Sequence, residues 1–289
     1  MVTSTLPRSS ALVHVRAPRV ERGGLLERER TQRLHRLHDP VQWQAAVLAL
    51  MLTPGSRREQ ALWFDEARAL PDAQRLLADV QALSHGERLP WFETIARQLA
   101  PGPVAQRHAV IEAARRLIAA DGMLTQADQL RWVALRHLLA GSAVAPPSAG
   151  VTELDTIGAP EAMQICHFSA FLSHLVPAPE LTLDVSGGDS TAQLWFDGVA
   201  ARLGDQVEPP LRDGHDIDLT LRALRALQSL PWLLRPVLVR TWFDVARELT
   251  DGPVLHEVAA DALRLACVLL DSPVPPELGR QYIEVELRR

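Results

Sequence analysis

Four copies of one tripeptide, two aromatics and an acid, constrain this chain more than any other feature: Trp63-Phe64-Asp65, Trp91-Phe92-Glu93, Trp195-Phe196-Asp197 and Trp242-Phe243-Asp244. Two fall in each half, which points to one module present twice, and internal self-similarity decides a fold before any local pattern does. Residues 96–122 lie on 246–272 without a gap. They match at Ala96/Ala246, Arg97/Arg247, Leu99/Leu249, Gly102/Gly252, Pro103/Pro253, Val104/Val254, Ala109/Ala259 and Asp121/Asp271, eight identities in 27 positions. A composition of this kind gives about two by chance. In both copies the Gly-Pro-Val triplet ends one helix on Gly and opens the next on Pro. Trp91 meets Trp242 after a one-residue slip, whereas Trp63 meets Trp195 at an offset of 132, so the second copy holds about 18 extra residues in between.

The punctuation predicts an all-α fold of two tandem related helical bundles, about six helices each, joined by a linker rich in Pro, Gly and Ala. Residues 1–38 read as a basic, mostly disordered arm, with a short helix from about Leu25. Residues 39–141 form module A, 142–162 the linker and 163–289 module B. Asp39-Pro40 starts a helix. Ser56 to Glu59 fits a capping box, and Thr125 to Asp128 a second one with the shorter acid. Leu89-Pro90 is expected to open the helix bearing Trp91. Module B is expected to begin with an apolar helix, Met163 to Val176, and Pro236 either delays or kinks the helix bearing Trp242. LTLDVSGGDS, 181–190, is the one stretch with strand character, and a Pro-Pro and Asp-rich loop follows near 208–216.

Charge is uneven. Residues 1–38 carry eight arginines against three glutamates, a net of +5, while the rest of the chain carries −10. This basic arm on an acidic body offers Arg19, Arg22, Arg28, Arg30, Arg33 and Arg36 as partner-binding candidates. Arginine-rich segments without interleaved aromatics, on an acidic body, argue against nucleic acid. Cys166 and Cys267 sit far apart in apolar segments, neither in a Cys-x-x-Cys pair, as buried thiols of a reducing compartment do. No run reaches the roughly 18 to 20 apolar residues of a transmembrane helix, and the N-terminus lacks the apolar stretch of a secretory signal. A soluble cytoplasmic protein is expected.

Residues 88–139 (RLPWFETIARQLAPGPVAQRHAVIEAARRLIAADGMLTQADQLRWVALRHLL) resemble the cytoplasmic C-terminal helical region of bacterial Ste-type membrane metallopeptidases. The Ala120-Asp121-Gly122 turn, followed by Leu124 and Asp128, is similar to TerB-like tellurite-resistance helical modules. The likeness covers about 45–140 and, more faintly, 192–287. It implies a compact helical bundle with a regulatory or scaffolding role, near membranes or in stress responses. It brings no protease: that chemistry needs His-Glu-x-x-His on one helix, and in His256-Glu257-Val258-Ala259-Ala260 the second position is Ala260. The second copy also has Asp271-Ser272 where the first has Asp121-Gly122.

No constellation of catalytic type stands out, and no cofactor is expected. Asp121 and Asp128 are weak metal candidates, because two carboxylates fall short of the six or so oxygens a calcium loop supplies. Trp63, Phe64, Trp91, Phe92, Trp195, Phe196, Trp242 and Phe243 are expected in the core, with neighbouring rings pointing roughly 100° apart on a helix. The expected function is a non-enzymatic adaptor or regulatory protein that binds another protein through its helical faces. The alternative is a small-molecule or cofactor pocket between the modules, lined by Trp195, His215 or His174.

Overall fold

The computed structural model describes residues 20–140, 153–178, 190–203 and 217–285, and side chains from Arg28 onward. Among the described residues every regular element is helical. Met1–Leu37 and His38–Arg289 form two compact units. In the first, α1 spans Val20–His35, five residues ahead of the expected start at Leu25. Each interior glycine costs about 1 kcal/mol. Extending a helix already nucleated by LLERERTQRL avoids a second nucleation cost, and so carries it through Gly23-Gly24.

In the second unit, α2 (Pro40–Met51) starts on Asp39, whose Oδ1 accepts from Val41 N at 2.7 Å, while Gln42 reaches back to the Asp39 amide. Ala45 through Leu52 are all buried, so this helix is apolar on every side. That is the pattern of a helix surrounded by others. Around it pack α3 (Arg57–Glu66), α4 (Ala73–Gln81), α5 (His85–Leu99) and α6 (Val104–Ile118). The Ser56 hydroxyl caps α3 by accepting from Glu59 N at 3.4 Å, but the box is not reciprocal: Glu59 accepts instead from Thr53 N at 2.6 Å. The last helix of the first half, α7 (Gln126–Ala140), does carry a reciprocal box. Thr125 N donates to Asp128 at 3.2 Å, and Asp128 N to the Thr125 hydroxyl at 3.2 Å.

The second half begins inside the expected linker. A 3-10 turn spans Leu154–Thr156 and α8 spans Ala159–Leu172, four residues before Met163, because Pro160 in the first turn suits a helix start. Residues 142–152 of that linker, nearly all of LTLDVSGGDS and the loop near 208–216 lie outside the described residues. Ser190, the end of that stretch, is the N-cap of α9 (Thr191–Ala200), accepting from Gln193 N at 3.2 Å. Next come α10 (Ile217–Gln228), α11 (Leu234–Glu248), α12 (Glu257–Leu269) and the short α13 (Pro276–Gly279). Pro236 occupies the first turn of α11, where its missing N–H has no intrahelical partner to lose, so of the two expected effects it is the late start, at Leu234 after a turn at 232–233, that is realised. Helices α9 and α10 pack on α8, and α12 packs on α7, so both halves belong to one compact unit.

Trp63, Trp91, Trp195 and Trp242 are at most 1% exposed. Each indole removes about 150–250 Å² from water, about 4–6 kcal/mol at ~25 cal/mol per Å². Burial strands the indole N–H unless it finds an acceptor. Trp63 donates to Ala45 O (2.8 Å), Trp195 to Trp242 O (3.1 Å) and Trp242 to the Ser169 hydroxyl (2.9 Å). Phe92, Phe196 and Phe243 are buried as well, whereas Phe64 is 41% exposed and belongs outside the core. It follows Trp63 by one position, so turning the indole inward swings the phenyl to the helix edge, where it lies edge-on to the indole at 5.1 Å.

Candidate functional site

The densest chemistry lies where residues 281–285 return to α5. That helix starts at His85, ahead of Leu89-Pro90, because Ser84 and Glu87 form a capping box: Glu87 accepts from Ser84 N (2.9 Å) and from the Ser84 hydroxyl (2.6 Å). Pro90 then sits inside the helix and donates nothing to the carbonyl four residues back, that of Gly86. The freed Gly86 carbonyl accepts from Ile283 N at 2.9 Å. Glycine is required there, since a Cβ would stand 2.8 Å from Gln281 O. One turn on, the Thr94 hydroxyl donates to Val285 O at 3.2 Å. Gly86 and Pro90 together form a notch in α5 for an incoming backbone.

Beside this notch lies a chain of charges. Arg264 of α12, 2% exposed, donates through Nε to Glu93 at 2.6 Å and through its terminal nitrogens to Glu284 at 2.8 and 3.1 Å. Its guanidinium lies over the Tyr282 ring, 4.5 Å from the centroid. Burial pulls the Arg264 pKa down, but the bonds to Glu284 and Glu93 outweigh it and the net shift is upward. Tyr282 donates to Asp261 Oδ1 at 3.0 Å, His85 Nε2 lies 3.2 Å from the same oxygen, and Arg131 of α7 stands 3.6 Å from the other. Burial raises the Asp261 pKa, and His85 and Arg131 only partly oppose it. The Tyr282 hydroxyl is pushed up by burial and then by Asp261. Asp261 thus faces His85 and Arg131 from the first half, and Arg264 faces Glu93, so the cluster draws on both halves of the sequence.

A second polar cluster sits at the far end of α7. There α12 ends in a left-handed residue, Asp271 (φ 48°), followed by Ser272 N donating to Cys267 O at 2.9 Å. A non-glycine residue tolerates this conformation when its short side chain is otherwise engaged. The Asp271 carboxylate lies 3.1 Å from His137 Nε2, and Gln228 bridges His137 Nδ1 (3.2 Å) and Leu269 O (2.8 Å). Buried Arg235 closes the cluster, donating to the carbonyls of Leu230, Leu270 and Gln228.

The residues singled out from sequence fall elsewhere. Asp121 caps its own turn through Met123 N (2.9 Å), with Gly122 at φ 78°, and Asp128 is held in the α7 box. Among the described residues no three His, Cys, Asp or Glu side chains converge as a metal site would need. Cys166 and Cys267 are buried, and burial pushes their thiols up to about 11 and about 12. Of the basic arm, Arg28 and Arg36 are exposed and Arg30 and Arg33 half-buried; Arg22 lies in α1, and Arg19 lies outside the described residues. Trp195 is wholly buried; His174 is half-buried in the turn after α8, and His215 lies outside the described residues.

Two clefts are lined by described residues. One of about 360 Å³ is lined by Arg202, Asp244, Arg247 and Glu248, whose charges largely neutralise one another. The other, about 280 Å³, lies between the α2–α3 turn and α5 and includes Thr53, Gly55, Gln60, Gln81 and Arg88. Sequence reasoning missed Arg88, Tyr282, Asp261 and Arg264, and also Trp232, which is 65% exposed beside Leu233 and Val237 at the start of α11. The Ser84–Glu87 spacing was the one legible signal for α5. No described helix is long and apolar enough to cross a membrane. Compared with protein-family models, curated proteins and solved structures, the chain matches none.

Proposed function

We propose that this chain is a non-enzymatic adaptor or regulatory protein, a doubled TerB-like helical module that binds another protein through an apolar helical face. The observation that carries it is Trp232. An indole held 65% in water, with Leu233 and Val237 beside it, is unusual in a chain that buries four other tryptophans and bonds the N–H groups of at least three. Exposed aromatic anchors flanked by aliphatics dominate the energetics of protein interfaces. The two polar clusters hold charges with partners already in place, which suits a rigid scaffold.

The doubling is supported by element order. The six helices α2–α7 have counterparts in α8–α13: α3 and α9 each run 10 residues, each start on a serine cap and each bear Trp-Phe-Asp. Helices α5 and α11 each run 15 residues and bear the other two aromatic pairs. The departure is α13, four residues long where α7 has 15. Affinity purification of the full chain, compared with Trp232→Ser and with Val104→Ser as an equally exposed control, tests the adaptor function. A discrete partner lost only with Trp232→Ser supports it. Identical partner sets in all three proteins would end it.

A further inference from the structure

Arg88, on the first half of α5, is half-buried, and no hydrogen bond or ion pair ties it to any described residue. Burial, then the neighbouring Arg131 guanidinium, pulls its pKa below the usual arginine value; Asp261 opposes them. That carboxylate is already engaged by Tyr282, His85 and Arg131. A guanidinium withdrawn from water without a counter-charge is costly unless an anion reaches it. It lines the cleft of about 280 Å³ together with the Gln60 and Gln81 carboxamides and Thr53. Both carboxamides likewise have no partner among the described residues.

We propose that this cleft binds a small monocarboxylate, its carboxyl group docked on Arg88 and its polar substituents on Gln60, Gln81 and Thr53. The planar fork of a guanidinium matches a carboxylate bidentately. The cleft brings one uncommitted cation, which balances one negative charge; a phosphate dianion would call for a second, and Arg131 is committed to Asp261. Glu59, the acid behind Thr53, is turned inward, 3% exposed and bonded to Thr53 N, so it does not confront the ligand. The volume falls at the lower edge of the roughly 300–1,000 Å³ range of ligand pockets, which suits an acid of amino-acid size and excludes a nucleotide.

Calorimetric titration of the full chain with sodium lactate and with glutamine, whose one carboxylate is the α-carboxylate, tests this, with sodium phosphate at matched ionic strength as the discriminating arm. Saturable binding of at least one carboxylate is expected, weakened tenfold or more by Arg88→Met and severalfold by Gln60→Ala/Gln81→Ala. Phosphate is expected not to bind. Because Arg88 has no partner in the free protein, Arg88→Met is also expected to keep the wild-type melting temperature. Should that variant misfold, Arg88→Lys keeps the charge without the fork and is expected to bind severalfold more weakly. Absence of saturable binding by both carboxylates, equal affinity in the Arg88 variants, or phosphate binding as tight as carboxylate would each overturn the assignment.

Discussion

Replacing Arg264 with methionine is the sharpest test of what joins the two halves. Arg264 and Glu93 are 2% and 4% exposed and meet at 2.6 Å. Without the arginine, Glu93 keeps one cation, Arg97 at 3.2 Å, whose own side chain is 56% exposed. Removing one partner of a buried ion pair costs about 3–5 kcal/mol, because the survivor is left buried and unmatched. The Glu284 arm adds little: its side chain is 66% exposed, and pairs so exposed contribute under about 1 kcal/mol. At about 2–4 °C per kcal/mol for a chain of this size, Arg264→Met is expected to lower Tm by roughly 6–20 °C. Glu284→Gln is expected to lower it by less than about 4 °C. The double variant Glu93→Leu/Arg264→Met removes both charges and is expected to recover most of the loss. Thermal and urea unfolding followed by tryptophan fluorescence read these proteins together with the single variant Glu93→Leu. If Arg264→Met unfolds at the wild-type midpoint, or the double variant is as unstable as the two single changes added together, the pair does not hold the halves together.

Two further outcomes follow from the geometry. Gly86→Ala places a methyl 2.8 Å from the Gln281 carbonyl, so overpacking of about 1–3 kcal/mol is expected to outweigh the helix preference for alanine. Amide exchange at Ile283 should rise in this variant, and unchanged protection there would refute the notch. His167 has its pKa lowered from 6.5, first by burial and then by Arg222. The unfolded chain therefore binds more protons between the depressed folded pKa and 6.5, and stability falls as pH drops through that window. Urea midpoints at pH 7.5, 6.5 and 5.5 should show a smaller decline in His167→Asn than in wild type, and equal declines would exclude this histidine as the source.

Local rules reached far along this chain and stopped at distant contacts. The Asp39 cap, the Thr125–Asp128 box and the buried tryptophans are dictated by residues within one or two turns, and were legible for that reason. Phe64 was misplaced because a shared tripeptide does not fix which of two adjacent rings faces inward. The start of α5 was placed late because Pro90 resembles a first-turn proline; its role is to free the Gly86 carbonyl for Ile283, a partner nearly 200 positions downstream. Arg264 meets Glu93 across 171 positions and Gln228 meets His137 across 91, separations at which no periodicity carries information. Arg88 was hidden differently, since a cleft is a property of surfaces and leaves no motif.

The notch in α5 sets an order of events during synthesis. Ribosomes add about 5–20 residues per second, so the 171 positions between Glu93 and Arg264 correspond to a wait of about 9–34 s. Throughout that interval a nascent first half carries an acid shaped for burial with only the exposed Arg97 to meet it, and a helix carbonyl still waiting for Ile283 N. Release of a truncated chain before Arg264 would expose both to the protein quality-control machinery.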